Sequence, residues 1–397
     1  MKKYINISDV LWFQEGPGVR NTQYTIDGVK LLNVTNLING NVDTTNTNRY
    51  ISKEEAYGKY KHFLADEGDL VIASSGIKVE YFDKKMGFIR KEQLPLCMNT
   101  STIRFKVTDE KRLSIRYFMY YLKSNHFKEQ LGQQITGSAQ LNFGPSHLKK
   151  MVFPLIEMEE QAKIIDKLDT IYDIEYKMRT ELKLYDQLAS SLFIEMFGDP
   201  VENPKKWNIS TLSTLGSCKN GMNFHIDDFG VEINCIGVGD FKDYDVISNT
   251  HSLPIVSLNS MPTEDYLLKD EDIVFVRSNG NKTMVGRSIV IYPGENLVTF
   301  SGFCIRYRNE DSSIMVPYLL RVLKTESIRM QMYGRGANIQ NLNQKILAFL
   351  KIPIPPMNLQ EKFVQSVSSI DKSKLAVKKS LEELEILKKS LMQKYFA

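Results

Sequence analysis

The chain carries a near-copy of itself, and this constrains its fold more than any other feature. At an offset of 199 residues, Pro154, Met158, Gln161, Ile171, Leu182, Leu192 and Phe197 recur without a gap as Pro353, Met357, Gln360, Ile370, Leu381, Leu391 and Phe396. The match reaches back through Gly137, Asn142 and Leu148 to Gly336, Asn341 and Leu347. Further upstream it survives only with small insertions: Gly28-Val29 echoes Gly230-Val231, and Gly68-Asp69-Leu70-Val71 echoes Glu271-Asp272-Ile273-Val274. A self-similar chain of 397 residues is read as two copies of one structural idea, which also fits the size at which single cores stop growing. Each copy has a divergent front and a better-kept rear, so the expected organisation is 1–156, 157–199, 200–357 and 358–397.

Both rears read as long helices. Positions alternating by four and three give Ile164, Leu168, Ile171, Glu175, Met178, Leu182, Tyr185, Ala189, Leu192 and Met196. The second copy gives Phe363, Val367, Ile370, Lys374, Val377, Leu381, Leu384, Lys388, Leu391 and Tyr395. Such seams belong to coiled coils. Gly198 before Asp199-Pro200 is a stop signal, and Asn358 with Glu361 has the spacing of a capping box. Residues 157–199 carry 5 basic and 11 acidic side chains, whereas 358–397 carry 8 and 5. Opposite charge favours pairing with each other over self-pairing. An antiparallel coiled coil is expected, with the repeat-equivalent polar residues Glu175 and Lys374 facing each other at its centre.

The fronts contain short apolar runs bounded by turn residues: Val29–Leu32, Asp69–Ala73 and Thr102–Val107, then Ile233–Val238, Ile273–Val276, Ser288–Ile291 and Phe303–Tyr307. With short helices expected at Tyr117–Leu122 and Tyr318–Leu323, each front reads as a mixed α/β domain. Two polar loops in each front hold the candidate DNA-binding residues. In the first front they are Ser74, Ser75 and Lys78, then Gln133, Gln134, Thr136, Ser138, Gln140 and Asn142. In the second they are Arg277, Ser278, Asn279, Asn281, Lys282 and Arg287, then Arg335, Asn338, Gln340, Asn341 and Asn343. Amides bond base edges in two places, while hydroxyls, glycine-loop N–H groups and cations suit phosphate oxygens. The same composition also builds ordinary turns. Residues 1–156 carry 22 basic against 15 acidic side chains and 200–357 carry 16 of each, so the first front leans more on phosphate attraction.

Catalytic and metal chemistry lack a foothold. Cys97, Cys218, Cys235 and Cys304 form no C-x2-C pair and read as reduced and mostly buried; His62, His126, His147, His225 and His251 stand singly. No P-loop is present, and Gly237-Val238-Gly239 lacks the rest of a dinucleotide fingerprint. No apolar window is long enough to cross a bilayer, and the amino terminus lacks a secretory run, so a cytoplasmic location is expected.

Taken together, the chain resembles the specificity (S) subunit of Type I restriction-modification systems. The resemblance rests on the tandem fronts and on two proline-containing leads into long helices: Phe153-Pro154-Leu155 to Glu160-Gln161, and Ile352-Pro353-Ile354-Pro355-Pro356 to Leu359-Gln360-Glu361. The junction Met196-Phe197-Gly198-Asp199-Pro200 into Asn203-Pro204-Lys205-Lys206-Trp207 adds to it. The resemblance implies two tandem α/β (α+β) target-recognition domains joined by an antiparallel coiled coil, each domain reading half of a split double-stranded DNA site. It implies two modification (M) subunits that dock on this chain and methylate adenine N6, and restriction (R) subunits in the full complex. S-adenosylmethionine, ATP and Mg belong to those partners, with no cofactor on this chain. A self-contained DNA methyltransferase and a coiled-coil adaptor that binds only proteins are the alternatives.

Overall fold

The computed structural model describes residues 3–45, 47–134, 141–225, 227–242, 245–333 and 341–397. Two compact units emerge: Met1–Met178 together with Lys379–Ala397, and Arg179–Lys378. Each therefore holds one front and half of each long helix.

In unit 1, Leu11–Glu15, Thr102–Val107, Leu70–Ala73 and Met86–Phe88 form an antiparallel four-stranded sheet in that spatial order. A smaller sheet orders Leu96–Met98, Val29–Leu32 and Tyr50–Ile51. Unit 2 has a five-stranded sheet of Gly216–Asn220, Cys304–Asn309, Asp272–Val276, Ser288–Ile291 and Val246–Ile247, and a three-stranded one of Ile255–Leu258, Val231–Ile236 and Val298–Phe300. The apolar runs read as strands are strands, shifted by one or two residues at some ends. Both central sheets carry a buried carboxylate at the same repeat position: Asp69 accepts from Arg104 at 3.2 Å, and Asp272 accepts two bonds from Arg308 at 2.8 and 2.7 Å.

The repeat is most exact where each front hands over to its helix. Lys3–Asn6 pairs antiparallel with Val152–Leu155, as Asn208–Thr211 does with Lys351–Ile354. The helices Ile115–Leu122 and Val316–Lys324 bury their apolar faces, and their tyrosines donate back to the lead: Tyr117 Oη to the Pro154 carbonyl at 2.9 Å, Tyr318 Oη to that of Pro353 at 3.1 Å. The recurring glutamine is explained here. Gln161, fully buried, accepts from the Ser114 N–H at 2.9 Å and donates to the carbonyls of Arg112 and Ile156, both at 2.8 Å. Gln360 does the same with the Met315 N–H at 2.8 Å and the carbonyls of Ser313 and Pro355 at 2.9 Å. One buried amide satisfies three backbone groups that burial would otherwise strand.

The long helices span Met158–Phe197 and Met357–Phe396. Within each unit the two halves run antiparallel. In unit 1, Phe396 joins Ile164 and Leu168 in the core, while Lys388 donates to Glu175 at 2.5 Å. In unit 2, Phe363 packs on Phe193 and Phe197 at ring-centroid distances of 5.6 and 5.4 Å, while Lys374 donates to Asp186 at 2.5 Å. Gly198 ends the first helix at φ +78°, and a Cβ there would meet the Pro204 ring at 2.4 Å.

Glu175 and Lys374 each take a partner in their own unit, Lys388 and Asp186, and the aromatic anchors that enter each core set the register there. Two expectations for the helices change. Near its end the buried stripe of the first helix moves from Leu192 and Met196 to Phe193 and Phe197, the drift that 3.6 residues per turn imposes on a heptad. The second helix begins at Met357, so Asn358 lies inside its first turn, where the Pro356 carbonyl accepts from Leu359 and Gln360. Among the described residues no helix is long and apolar enough to cross a membrane.

Candidate nucleic-acid interface

The two candidate loops of each front lie apart in sequence, and backbone pairing brings them together. In unit 1, Ser75–Ile77 pairs antiparallel with Leu141–Asn142, matching Ser75 with Asn142, and the Phe143 N–H donates to the Ser74 carbonyl at 3.0 Å. In unit 2, Ser278 forms an antiparallel bridge with Asn341, and the Leu342 N–H donates to the Arg277 carbonyl at 2.8 Å. The same two segments meet at repeat-equivalent positions in both units.

The individual side chains separate into exposed and structural groups. Lys78, Gln133, Asn142, Asn281, Lys282 and Asn341 are exposed; Gln134, Ser75, Arg277, Ser278, Asn279 and Arg287 are half-buried. Ser74 is fully buried and donates to Glu15 at 3.3 Å, so its hydroxyl is spent inside the protein. Ser75 donates to Ser101 Oγ at 2.6 Å. Asn343 caps the helix Gln344–Ala348 by accepting from the Ile346 N–H at 2.9 Å, an ordinary N-cap task for its side-chain oxygen. Arg277 donates to the Gly302 carbonyl at 3.2 Å, and Arg287 to that of Phe241 at 3.3 Å. Asn279 and Asn281 hold their own turn, accepting from the N–H groups of Asn281 at 2.7 Å and Thr283 at 3.1 Å. Thr136, Ser138, Gln140, Arg335, Asn338 and Gln340 lie outside the described residues, as do Gly137 and Gly336.

Two features had escaped sequence reasoning. In unit 1 a shallow groove beside Gly76 and Lys78 is lined by Asn39, Tyr81, Lys84 and Lys85. The Tyr81 ring is half exposed, with Lys84 Nζ 5.7 Å from its centroid. A lysine pair around an exposed tyrosine suits a phosphate beside a sugar or base. In unit 2 the ring of Phe303 stands 62% exposed next to Arg277 and Ser278. Its signal was the turn dipeptide Ser301-Gly302, which starts the strand at Cys304 and leaves Phe303 in the turn.

The arrangement offers amides, hydroxyls and cations on turns. Among the described residues no cluster of three or more His, Cys, Asp or Glu is placed to hold a metal. All four cysteines are free thiols; burial pushes Cys97 and Cys235 up to about 12 and Cys218 to about 11, which keeps them protonated and unreactive.

A family model described as the Type I restriction modification DNA specificity domain matches the chain twice, over residues 7–184 and 204–386. The Type I restriction enzyme StySPI specificity subunit of Salmonella potsdam is 23% identical over 391 residues, covering 93% of this chain and 82% of that one. The S subunit of a Type I system from M. genitalium shares the fold at a TM-score of 0.56 and 17% identity, covering 100% of this chain and 96% of that one. A chain solved in a study of assembly and conformational transition of the type I R-M system reaches 0.59 at 15% identity, covering 99% and 97%.

Proposed function

Because the chain belongs to the Type I restriction-modification specificity family, a family of recognition rather than catalytic subunits with two tandem DNA specificity domains, we propose that each unit reads one half of a split double-stranded DNA site. The observation that carries this reading is the matched pair of loops, Ser75 with Asn142 and Ser278 with Asn341, set at one repeat position on otherwise divergent fronts. A shared frame with different side chains is what two readers of different sequences need.

The long helices then set the unread gap. A helix of 40 residues rises about 60 Å, and readers on one face of B-DNA stand about 34 Å apart or a multiple of it. Two modification subunits dock on the helices and methylate adenine N6; restriction subunits join them in the full complex. In this reading S-adenosylmethionine, ATP and Mg belong to those partners. Support for two copies of one partner comes from exposed apolar residues at equivalent positions. Tyr176 and Leu387 flank the Glu175 to Lys388 bridge, and their repeat equivalents Leu375 and Leu188 lie beside Lys374 and Asp186.

Mapping methylated adenines made by the assembled complex tests the reading. A bipartite motif is expected, and Asn341→Ala relaxes its second half alone. Removing one turn from each long helix changes the gap. Equal loss of specificity in both halves, or an unchanged gap, contradicts the proposal.

A further inference from the structure

Ser101 and Phe303 occupy the same place in the two frames. Each directly precedes the second strand of its main sheet, Thr102–Val107 or Cys304–Asn309. The Ser101 carbonyl accepts from the Ser74 N–H at 2.8 Å, and the Phe303 carbonyl accepts from the Arg277 N–H at 2.8 Å. The backbone is one design, and the side chains differ in kind. The Ser101 hydroxyl is bound by Ser75 within its loop, whereas the Phe303 ring projects into solvent beside Arg277, Ser278 and Asn341.

The turn under Phe303 is held on every side. The Gly302 N–H donates to the Met222 carbonyl at 2.6 Å, and any Cβ on Gly302 would meet Asn223 Oδ1 at 2.0 Å. Phe303 N–H donates to Ser301 Oγ at 3.2 Å, and the Arg277 guanidinium grips the Gly302 carbonyl at 3.2 Å. A large ring presented by so fixed a backbone loses little freedom on binding, so the area it buries converts efficiently into affinity. It also sits in the front that balances 16 basic against 16 acidic residues, where phosphate attraction contributes least.

We propose that Phe303 is a specificity-determining residue of the second unit, packing against the C5-methyl of a thymine in the major groove. This rests on the DNA-reading function proposed above. The thymine methyl is the one apolar group among the base edges of that groove, and an exposed amide such as Asn341 reads the polar edges around it. A ring wedged between base steps works from the minor groove and unstacks the duplex at a cost of a few kcal/mol per step, a cost that contact with a methyl does not carry. Unit 1, with a serine in this place, has no counterpart contact.

The test uses the full chain assembled with its modification subunits and a random-sequence duplex library. The wild type should select a bipartite site with a thymine at one position of the second half. Phe303→Ala and Phe303→Ser should lose that preference with about a tenfold drop in affinity for the selected site, while Phe303→Leu retains part of it and the first half is unchanged. Replacing that thymidine by deoxyuridine should weaken the wild type about as much and leave Phe303→Ala unaffected. If the variants keep the full preference, or deoxyuridine costs both proteins equally, Phe303 does not read the methyl. If the wild type selects no site at all, the DNA-reading function itself fails. The ring is solvent-exposed, so an unchanged thermal melt confirms that the variants fold.

Discussion

Where a front meets its long helix, the two units agree in one layer of contacts and disagree in the next. The buried glutamines Gln161 and Gln360 make the same three bonds, and Tyr117 and Tyr318 make the same fourth. One step outward each unit half-buries a lysine, Lys123 or Lys324, and surrounds it differently. In unit 1 the Tyr172 ring lies between two ammoniums, with Lys123 4.4 Å and Lys388 5.0 Å from its centroid. Burial pushes Lys123 down to about 8 despite the carboxylates of Asp83, Asp169 and Glu175 nearby. In unit 2 an aspartate, Asp371, holds the repeat position of Tyr172, and Asp245 accepts from Lys324 and lies 3.8 Å from Lys374. Burial alone would raise the Asp245 carboxyl, but Lys324, Lys374 and Arg321 hold it near 2. Groups that must satisfy fixed backbone atoms admit one solution; groups that only need neutralising admit several.

The two units can be followed separately, since Trp12 reports on unit 1 and Trp207 on unit 2, and the chain has no other tryptophan. The largest effect is expected from the aromatic anchors. Phe396→Ala should cost unit 1 about 3–5 kcal/mol and Phe363→Ala should cost unit 2 the same, each read as a shift of one tryptophan's urea transition. Both tryptophans moving together in either variant would show that the units are not separate in stability.

Next come the glutamines. Gln161→Ala and Gln360→Ala leave buried backbone groups unbonded, with an expected loss of about 1–3 kcal/mol each. Equal losses support a shared layer; losses differing by more than about 1 kcal/mol would show that the identical geometry hides unequal surroundings.

The pH response should separate the units further, by an amount on the order of 1 kcal/mol per unit of pKa displacement. Lys123 titrates lower folded than unfolded, so the folded state binds fewer protons between about 8 and 10.5. Unit 1 should gain stability as pH rises through that window, and Lys123→Met should flatten the gain. Asp245 also titrates lower folded, so its contribution is present above about 3.8 and lost as pH falls toward 2, in unit 2 alone. Urea midpoints across pH test both. The smallest effect concerns DNA: Lys78→Ala and Lys84→Ala should each lower the slope of log affinity against log salt by about 0.9 if each meets one phosphate. A slope unchanged in both variants would remove the unit 1 groove from the interface.

Much of this architecture is legible in the residues, and the parts that are not share a cause. The repeat, the long helices and the apolar runs are local or periodic signals, and the structure places them within a few residues. Register is not local: within unit 1 the entry of Phe396 into the core sets which residue meets Glu175, and nothing near Glu175 reveals that. Each candidate loop could be flagged, but only the folded backbone pairs Ser75 with Asn142, or turns Ser74 inward to Glu15. Asn343 shows a residue type with two uses, since an asparagine before a helix also makes the cap. Phe303 reads as a strand residue because an apolar residue beside an apolar run looks like its first member, and a one-residue boundary decides between core and surface.

The division into units has a consequence for biosynthesis. Unit 2, Arg179–Lys378, is one continuous stretch of chain, whereas unit 1 needs Lys379–Ala397 to place Phe396 among Tyr117, Tyr121 and Leu168. On a ribosome adding about 5–20 residues per second, the first front emerges and then waits roughly 10–40 s for the segment that closes its core. The unit encoded first is thus completed last, and for that interval a chaperone would meet its open apolar surface.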